Sequence, residues 1–368
     1  MQLQYDVSAP VEIAPGTFWV GKRDPRSIFH SNSYLRVFEN TEYSPRTQFN
    51  VLIDPGSHVD FSVVAAKTAK VLGGLDRLSL IHINHQDPDV GSSAPMLLSR
   101  YAPRAHVFAS EDTWRLICHF GLPRDRFVSA ERYRGVLPLP TGHELHLVPT
   151  PFCHFRGALA LYDPQTRVLF SGDLFGGLTA ECELELDARG EEWPGIRAFH
   201  QLYMPTRQAL KRAVDTIRAL TPAVECIAPQ HGRILRGDVM HEYLERMANL
   251  PVGMDLIDES TDSLQAWTHV LRRLLHTASD LLGPTIEARL ASDLQLQDTI
   301  DFREDGPIVC ASGRSTIERV LELLTVNEDT SIANIMKMEA IAAAEQLQLA
   351  VPRVRIEEGE ASDIATLM

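Results

Sequence analysis

The stretch INHQDPDVGSS at residues 83–93 follows an apolar run and places His85, Asp87 and Asp89 at alternate positions. Side chains at alternate positions of an extended segment point to one side, so these three would converge if the segment stays extended. Pro88 favours extended backbone at Asp87, which supports that geometry. Taken alone, the stretch is explained equally well as a loop whose aspartates form turns.

Three further segments each place one metal-ligating residue type after an apolar strand pattern. They are TPFCHF with His154, LFSGDLFG with Asp173 and IAPQHGR with His231. A structural histidine or a capping aspartate would explain any single one of them. Because four such sites occur in order along the chain, we predict that they form one metal site. Its ligands would be His85, Asp87, Asp89, His154, Asp173 and His231.

Three imidazoles and three carboxylates are more ligands than one ion needs, and they suit two metals that share a bridging carboxylate. Ligation rich in carboxylates and free of thiolates favours iron or manganese over a structural zinc ion, with zinc as a further alternative. Mixed nitrogen and oxygen ligands with open positions are also typical of sites that bind O2.

The composition restricts the class of protein. The chain has 368 residues, more than one ordinary core contains, so two domains are expected. A formal net charge of −14 disfavours nucleic acid and anionic membranes as partners. Without an apolar run of about 18 residues or a secretory pattern, we expect a cytoplasmic protein. The five scattered cysteines indicate neither a disulfide framework nor a zinc knuckle.

Short apolar or β-branched runs alternate with a few helical patterns over the first two thirds of the chain, which indicates sheets covered by helices. The predicted strands are 17–20, 33–38, 50–53, 78–84, 105–109, 144–149, 159–162, 168–170 and 226–228. The predicted helices are 63–72, 93–101, 111–120 and 206–220. We therefore predict an α+β domain over residues 1–248.

Beyond about residue 242 the pattern is mostly helical, with one strand-like run at 306–310. We predict a mostly helical domain over residues 249–368, suited to dimerisation or signalling, with a frayed acidic tail at 357–368. An apolar stripe in this part would form either a dimer seam or, as is commoner, a face buried in its own domain. The stripe comprises Leu264, Trp267, Leu271, Leu274, Leu275 and Leu281.

These motifs resemble the metallo-β-lactamase fold, and specifically its flavodiiron and oxygen-binding diiron (ODP) branch, over roughly residues 10–245. That branch carries H-x-E-x-D-H, then a single histidine, an aspartate in a SxDxFG-like motif and a histidine in a PxHG-like motif. The resemblance implies an αββα sandwich with two irons. By that resemblance the first iron would be held by His85, Asp87 and His154, the second by Asp89 and His231, and Asp173 would bridge them.

Two positions depart from the patterns of the fold. Hydrolytic members carry H-x-H-x-D-H, and Asp87 stands where they have the second histidine. The added negative charge favours ferric iron and a redox centre over a zinc hydrolase. Val90 stands where the motif has its last histidine, so the second metal loses a nitrogen ligand. His30 and His82 are candidates to replace it, although His82, three positions before His85, is more readily a core residue of its strand.

His30 and Tyr203 also lie close to the positions at which flavodiiron proteins place a histidine and a tyrosine beside the oxygen pocket. By that resemblance His30 would donate a hydrogen bond to the bound gas, and Tyr203 would supply a proton or an electron. Ordinary packing at a turn and on a helix surface is the alternative for both.

Flavodiiron proteins hold FMN in a flavodoxin domain, and nothing after residue 245 offers the phosphate loop that FMN requires. The nearest approach, CASGRSTIERV at 310–320, is better explained as helix capping by Ser312 or Ser315. The protein would therefore need an external electron donor or act through a signalling partner, and a homo-oligomer is expected.

The sequence thus predicts a non-haem diiron protein that binds O2, with NO as a second candidate gas, and acts as a sensor or slow reductase. One alternative is a hydrolase of an ester, thioester or phosphodiester that uses a metal-bound hydroxide oriented by Asp89. Another is a regulatory scaffold whose metal site is a vestige.

Overall fold

The computed structural model describes residues 5–40, 47–180, 182–257 and 261–356. The chain divides into two compact units, Met1–Asn249 and Leu250–Met368. The acidic tail for which fraying was expected lies outside the described residues. Within the described ranges, every helix is too short or too polar to span a lipid bilayer.

Two β-sheets form the centre of the first unit. The strands of the first sheet are β1 Val11–Ala14, β2 Thr17–Trp19, β3 Tyr34–Asn40, β4 Thr47–Ile53, β5 Leu80–His82, β6 His106–Ala109 and β7 Phe127–Ser129, in this spatial order. Its pairs are antiparallel from β1 to β4 and parallel from β4 to β7. Strands β4 and β5 therefore end at the same edge of the sheet.

The second sheet is mostly antiparallel. Its strands are β8 Val136–Pro138, β9 Glu144–Pro149, β10 Leu159–Asp163, β11 Val168–Gly172, β12 Cys226–Pro229 and β13 Leu235–Arg236. They lie in the order β13-β12-β11-β10-β9-β8, and only β11 and β12 pair in parallel among the described residues. The carboxyl ends of β11 and β12 are thus neighbours.

The main core lies between the two sheets. Tyr34 of β3 packs against Phe170 of β11 with ring centroids 5.5 Å apart, within a larger cluster of buried side chains from both sheets. The parallel strands are apolar on both faces, because helices cover the outer face of the first sheet as well. This explains why Val51, Leu52 and Ile53 are consecutive and all fully buried.

Helices form the two outer layers of the first unit. They are α1 Phe61–Leu72, α2 Pro88–Gly91, α3 Ala94–Met96, α4 Glu111–Ile117, α5 Trp193–Tyr203, α6 Arg207–Arg218 and α7 Gly237–Asn249. Side chains of α1, α2, α3 and α4 join the core on the outer face of the first sheet. Helices α6 and α7 contact β9 and β12 of the second sheet. The layers are therefore αββα, as the resemblance to the metallo-β-lactamase fold implied.

The predicted and observed elements differ where a segment is short or contains proline. The predicted helix 93–101 is α3 followed by a wider π-helical turn at Leu97–Tyr101, and Pro95 lies in the first turn of α3. Four strands of two to four residues, β1, β7, β8 and β13, have too few alternating positions to be recognised from the sequence. Helix α5, which carries Tyr203, was also missed.

The second unit is mostly helical. It contains α8 Met254–Ile257, α9 Thr261–Leu282, α10 Ile286–Ala291, α11 Leu294–Gln297, α12 Gly313–Thr325 and α13 Thr330–Gln346, with a hairpin of β14 Ile300–Asp301 and β15 Ile308–Val309. The apolar stripe of α9 faces the core of this unit. Trp267, Leu271, Leu274 and Leu275 are buried there, whereas Leu281 is 39% exposed. The stripe is therefore an internal face rather than a dimer seam.

The segment that resembles a phosphate loop has a packing role. A Cβ added to Gly313 would lie 2.0 Å from the indole Cδ1 of Trp267, so only glycine allows α12 to approach α9 this closely. Ser312 occupies the N-cap position of α12, but its side chain makes no capping hydrogen bond, which corrects the expectation of capping by that residue.

Candidate metal centre

Four of the six predicted ligand residues form one cluster. Single ligand-type atoms of His85, Asp87, His154 and Asp173 all lie within 4.8 Å of one another. They come from loops after β5, β9 and β11, which end at the same edge of the αββα sandwich. We call this group the first subsite.

The nitrogen atoms of the first subsite face its carboxylates. Nε2 of His154 lies 3.0 Å from Oδ2 of Asp87 and 3.3 Å from Oδ2 of Asp173. Nε2 of His85 lies 3.6 Å from Oδ2 of Asp87 and 3.4 Å from Oδ2 of Asp173. Ligands bound to one ion at about 2.1 Å lie about 3 to 3.5 Å apart, so these separations match the edges of a metal coordination shell.

The remaining two residues, with Asp173 again, form a second subsite. Nε2 of His231 lies 3.2 Å from Oδ2 of Asp89. The same nitrogen lies 3.5 Å from Oδ1 of Asp173, the oxygen that does not face His85. Asp173 thus presents one oxygen to each subsite, which is the arrangement of a bridging carboxylate.

The position of Asp89 differs from the extended geometry predicted for 83–93. Asp87 is extended, with ψ of 144°, but Pro88 begins helix α2 and Asp89 lies in its first turn. Proline is favoured at the first position of a helix because its fixed φ suits the helix and its missing N–H is not needed there. Asp89 consequently faces His231 instead of continuing the row of His85 and Asp87.

Hydrogen bonds fix the tautomers of two histidines. Nδ1 of His85 donates to Oδ1 of Asn84 at 3.0 Å, and Nδ1 of His231 donates to the backbone carbonyl of His30 at 3.0 Å. When each ring is neutral, as metal binding requires, Nε2 is then the atom that carries the lone pair. Asn84 is held in turn by Asp54, whose Oδ1 accepts its backbone N–H at 2.9 Å. Both histidines are thus oriented as ligands through Nε2.

A glycine makes this support possible. Gly172, the last residue of β11, has φ of 61° and immediately precedes Asp173. A Cβ at this position would lie 2.2 Å from Oδ1 of Asn84. Any larger residue would therefore displace the group that orients His85.

The electrostatics of the cluster favour ionised carboxylates. Burial alone would raise the pKa of Asp173, but the imidazoles of His85 and His231 outweigh it and lower that pKa to about 2. Burial is likewise outweighed at Asp87, where His154 and His85 bring the pKa well below its usual range. Burial opposes charge on His85, yet Asp173 and Asp87 raise its pKa well above the ordinary value. The acidic groups are thus ready to bind a cation.

Two buried atoms at the centre of the cluster have no hydrogen-bond partner among the described residues. They are Nε2 of His85 and Oδ1 of Asp173. An unsatisfied buried polar atom typically costs about 1–3 kcal/mol, so such atoms need a partner that compensates for the loss of water. A metal ion bound at both atoms would supply it. The residues present therefore fit a dinuclear metal group.

The structure places Val90 and His82 away from the cluster. Val90 is fully buried in the outer core of the first sheet. His82 is buried within β5, with Nδ1 3.1 Å from the carbonyl of Phe108 and Nε2 2.9 Å from that of Leu159. Burial lowers the pKa of His82 to about 4. His82 is accordingly a core residue, the reading that the sequence favoured, and does not fill the vacancy left by Val90.

His30 and Tyr203 lie beside the cluster in different ways. His30 supports His231 through its backbone carbonyl, while its Nδ1 accepts from the backbone N–H of Asp24 at 3.5 Å. Burial, with Arg23 nearby, lowers the pKa of His30 to about 4. Tyr203 ends α5, is 44% exposed, and has its ring centroid 6.1 Å from that of His154. Their roles toward a bound gas stay predictions.

Several neighbours of the cluster were missed in the sequence. Phe29 and Phe199 pack at a tilt beside His231, at 4.0 and 5.4 Å between ring centroids. His200 accepts the backbone N–H of Phe175, two residues after Asp173, at 3.1 Å. The adjacency of Phe29 to His30, and of Phe199 and His200 to Tyr203, was the available signal. Such signals are weak because sequence adjacency does not show which side chains turn toward a site.

The fold and this cluster define an αββα protein with histidines and carboxylates arranged as two adjacent candidate metal subsites. The profile described as "ODP family beta lactamase" matches residues 29–232, more than half of the 368-residue chain. The chain belongs to this family. The resemblance seen in the sequence motifs is thereby confirmed.

Individual relatives agree with the family. Type A flavoprotein fprA of Rhodobacter capsulatus is 30% identical over 240 residues, which cover 62% of this chain and 53% of that protein. The anaerobic nitric oxide reductase flavorubredoxin of Enterobacter sp. is 26% identical over 317 residues, covering 82% of this chain and 64% of that protein. The chain thus spans about half to two thirds of the length of these relatives.

A solved structure covers the same region. A peroxy diiron species of chemotaxis sensor ODP is 25% identical to this chain, with a TM-score of 0.55. The similarity covers 68% of this chain and 98% of that one. The αββα architecture predicted from the sequence is therefore shared with a diiron protein of the same family.

Proposed function

We propose that this chain holds two iron ions and binds O2 between them, with NO as a second gaseous ligand, and that it acts as a gas sensor or slow reductase. The first iron is assigned to His85, Asp87 and His154, the second to Asp89 and His231, with Asp173 bridging.

One observation carries this proposal: Asp173 faces the two subsites with different oxygens, and its Oδ1 and the Nε2 of His85 are buried without a partner. The names of similar proteins support iron and a diatomic gas. One is a diiron form of a chemotaxis sensor, and another is a nitric oxide reductase. None of these names points to manganese or zinc.

The chemistry that an iron pair supplies here is binding and reduction of a diatomic gas. The chain's own residues prepare the site for it. Asp87 contributes a carboxylate where an imidazole would leave the site less negative, and this favours the ferric state. The rings of Phe29 and Phe199 shield His231 from water. We assign to Tyr203, whose ring lies near that of His154, the donation of a proton from its hydroxyl.

Hydrolysis is less well supported. A hydrolase of this fold would be expected to use a second histidine in the H-x-H-x-D-H motif, and this chain has Asp87 there and Val90 at the end of the motif. Electrons for a reductase would come from an external donor, and a sensor would act through a signalling partner. We assign dimerisation or signalling to residues 249–368, as a second domain of a homo-oligomer.

Anaerobic reconstitution with ferrous iron tests the proposal. We expect about two irons per chain and a near-ultraviolet charge-transfer band that appears in air and is lost on reduction. The variant Asp173→Asn should lose most of the iron and the band, whereas Asp280→Asn, an exposed carboxylate of α9, should keep both. Iron binding well below about two ions per chain, or the absence of such a band, would refute the proposal.

A further inference from the structure

The second subsite has fewer ligand-type side chains than the first. His85, Asp87, His154 and Asp173 surround the first, but among the residues that the structure describes, only His231 and Asp89 join Asp173 at the second. The next residue after Asp89 cannot help, because Val90 is buried in the outer core.

The side chain of Gln230 lies beside this incomplete subsite. Its Nε2 is 3.5 Å from Oδ2 of Asp89, the same oxygen that faces His231, and 3.3 Å from the Asp89 backbone carbonyl. Gln230 is 1% exposed, and its Oε1 is buried with no partner among the described residues. A buried amide oxygen without a partner needs a donor or a cation.

The backbone of Gln230 is fixed on both sides. Its N–H donates to the carbonyl of Gly172 at 2.8 Å, and its carbonyl accepts from the N–H of Asn32 at 2.6 Å. The side chain therefore has a defined origin after β12, between Pro229 and His231, with its backbone paired to Gly172, the residue before Asp173. Only rotation of the amide itself is needed to change which of its atoms faces Asp89.

We propose that Gln230 completes the second subsite by binding its metal through Oε1. This inference rests on the dinuclear site proposed above. Turning the amide by half a rotation about its terminal bond exchanges the two atoms. Oε1 then lies about 3.5 Å from Oδ2 of Asp89, the separation expected for two ligands of one ion. Without a cation, the ionised carboxylate of Asp89 attracts the NH2 group instead, which is the orientation observed.

An amide oxygen is a neutral and weak ligand, so the two subsites should differ in their affinity for metal. The first subsite has two imidazoles and two carboxylates, while the second has one imidazole, two carboxylates and the Gln230 amide. The second metal should therefore bind more weakly and be the first to leave. An unequal pair of affinities is the expected signature.

Titration of the metal-free protein with Co²⁺, followed by visible absorption and calorimetry, tests the proposal. Wild type should bind two ions, the second more weakly. Gln230→Leu should leave the first ion unchanged and weaken the second by at least about tenfold. Gln230→Glu keeps an oxygen ligand, so it should retain both ions. Gln208→Leu and Gln208→Glu on α6, exposed and outside both subsites, serve as matched controls.

The outcomes separate this inference from the proposed function. If wild type binds fewer than two ions, both are wrong. If wild type binds two and Gln230→Leu binds the second as well as wild type does, only the role of Gln230 is wrong. If Leu and Glu variants both lose the second ion, Gln230 acts as a hydrogen-bond donor to Asp89 and the ligand role is again overturned. If Gln230→Leu does not fold, Gln230→Met is titrated in its place. Mössbauer spectra of ⁵⁷Fe-loaded Gln230→Glu should show two iron environments, because this variant keeps an oxygen ligand at the second subsite.

Discussion

Asn84 accepts a hydrogen bond from Nδ1 of His85 at 3.0 Å, and this contact decides which ring nitrogen faces the metal subsites. The amide of Asn84 also donates from Nδ2 to the carbonyl of Leu159 at 2.8 Å. Because this hydrogen bond ties Asn84 to β10, the orientation of His85 depends on how the two central sheets pack against each other. A residue that binds no metal therefore couples the fold to the site.

Replacing Asn84 with alanine should weaken metal binding at the first subsite. Loss of the group that orients a ligating histidine typically reduces affinity about 10–100-fold. Metal titration of the Asn84→Ala variant measures this, with Asn249→Ala at the end of α7 as a control whose side chain donates to Glu245. An unchanged first affinity, or an equal loss at both subsites, would contradict the assignment.

His200→Phe should destabilise the loop that carries Asp173. Nδ1 of His200 donates to the carbonyl of Ile196 at 2.8 Å, so Nε2 is free to accept the N–H of Phe175. Phenylalanine leaves that buried N–H unpaired, at a cost of about 1–3 kcal/mol. The free energy of unfolding, measured in urea, and the iron content should both fall. His200→Gln, which offers an acceptor oxygen, should recover part of the loss, and equal behaviour of the two variants would argue against this role.

The stability of the metal-free protein should decrease between pH 7 and pH 5 because of His82. The unfolded chain protonates this residue near pH 6.5, whereas burial lowers the folded pKa to about 4. The unfolded state therefore binds more protons in this window, and stability is lost as the pH falls. His82 accounts for a loss of about 2 kcal/mol in the free energy of unfolding over this pH window. In urea titrations, His82→Leu should show a shallower pH dependence than wild type, and parallel curves would contradict the prediction.

Leu271→Ala should destabilise the second unit without changing the oligomeric state. Leu271 is fully buried in the core of that unit, and such truncations cost about 2–5 kcal/mol. Leu281→Ala, at an exposed position of the same helix, should stay within about 0.5 kcal/mol of wild type. Thermal unfolding and size-exclusion chromatography provide the measurements. If Leu271→Ala dissociated an oligomer, the apolar stripe of α9 would instead be a dimer interface.

Much of the fold was predictable because it depends on local patterns. The inner strands β4, β5 and β11 contain buried runs that suit the interior of a sheet. Strand β9 has a more alternating pattern and matches its predicted bounds. The clustering of the candidate ligand residues was predictable for a related reason. His85, Asp173 and His231 each follow such a strand, and neighbouring strand ends meet at one edge of a sandwich. Short strands such as β13 carry too little pattern to be detected.

The sequence by itself determined that sheets are covered by helices, and which candidate ligand types occur in which order, because strand periodicity and residue chemistry are encoded locally. Tertiary structure alone decided how the candidate ligands divide between the two subsites. Pro88 starts a helix and turns Asp89 toward His231, the two oxygens of Asp173 separate the subsites, and Gln230 reaches Asp89 from a segment 141 positions away. Distances of this kind arise only when the two sheets pack together, since no local pattern specifies which atoms meet across a core.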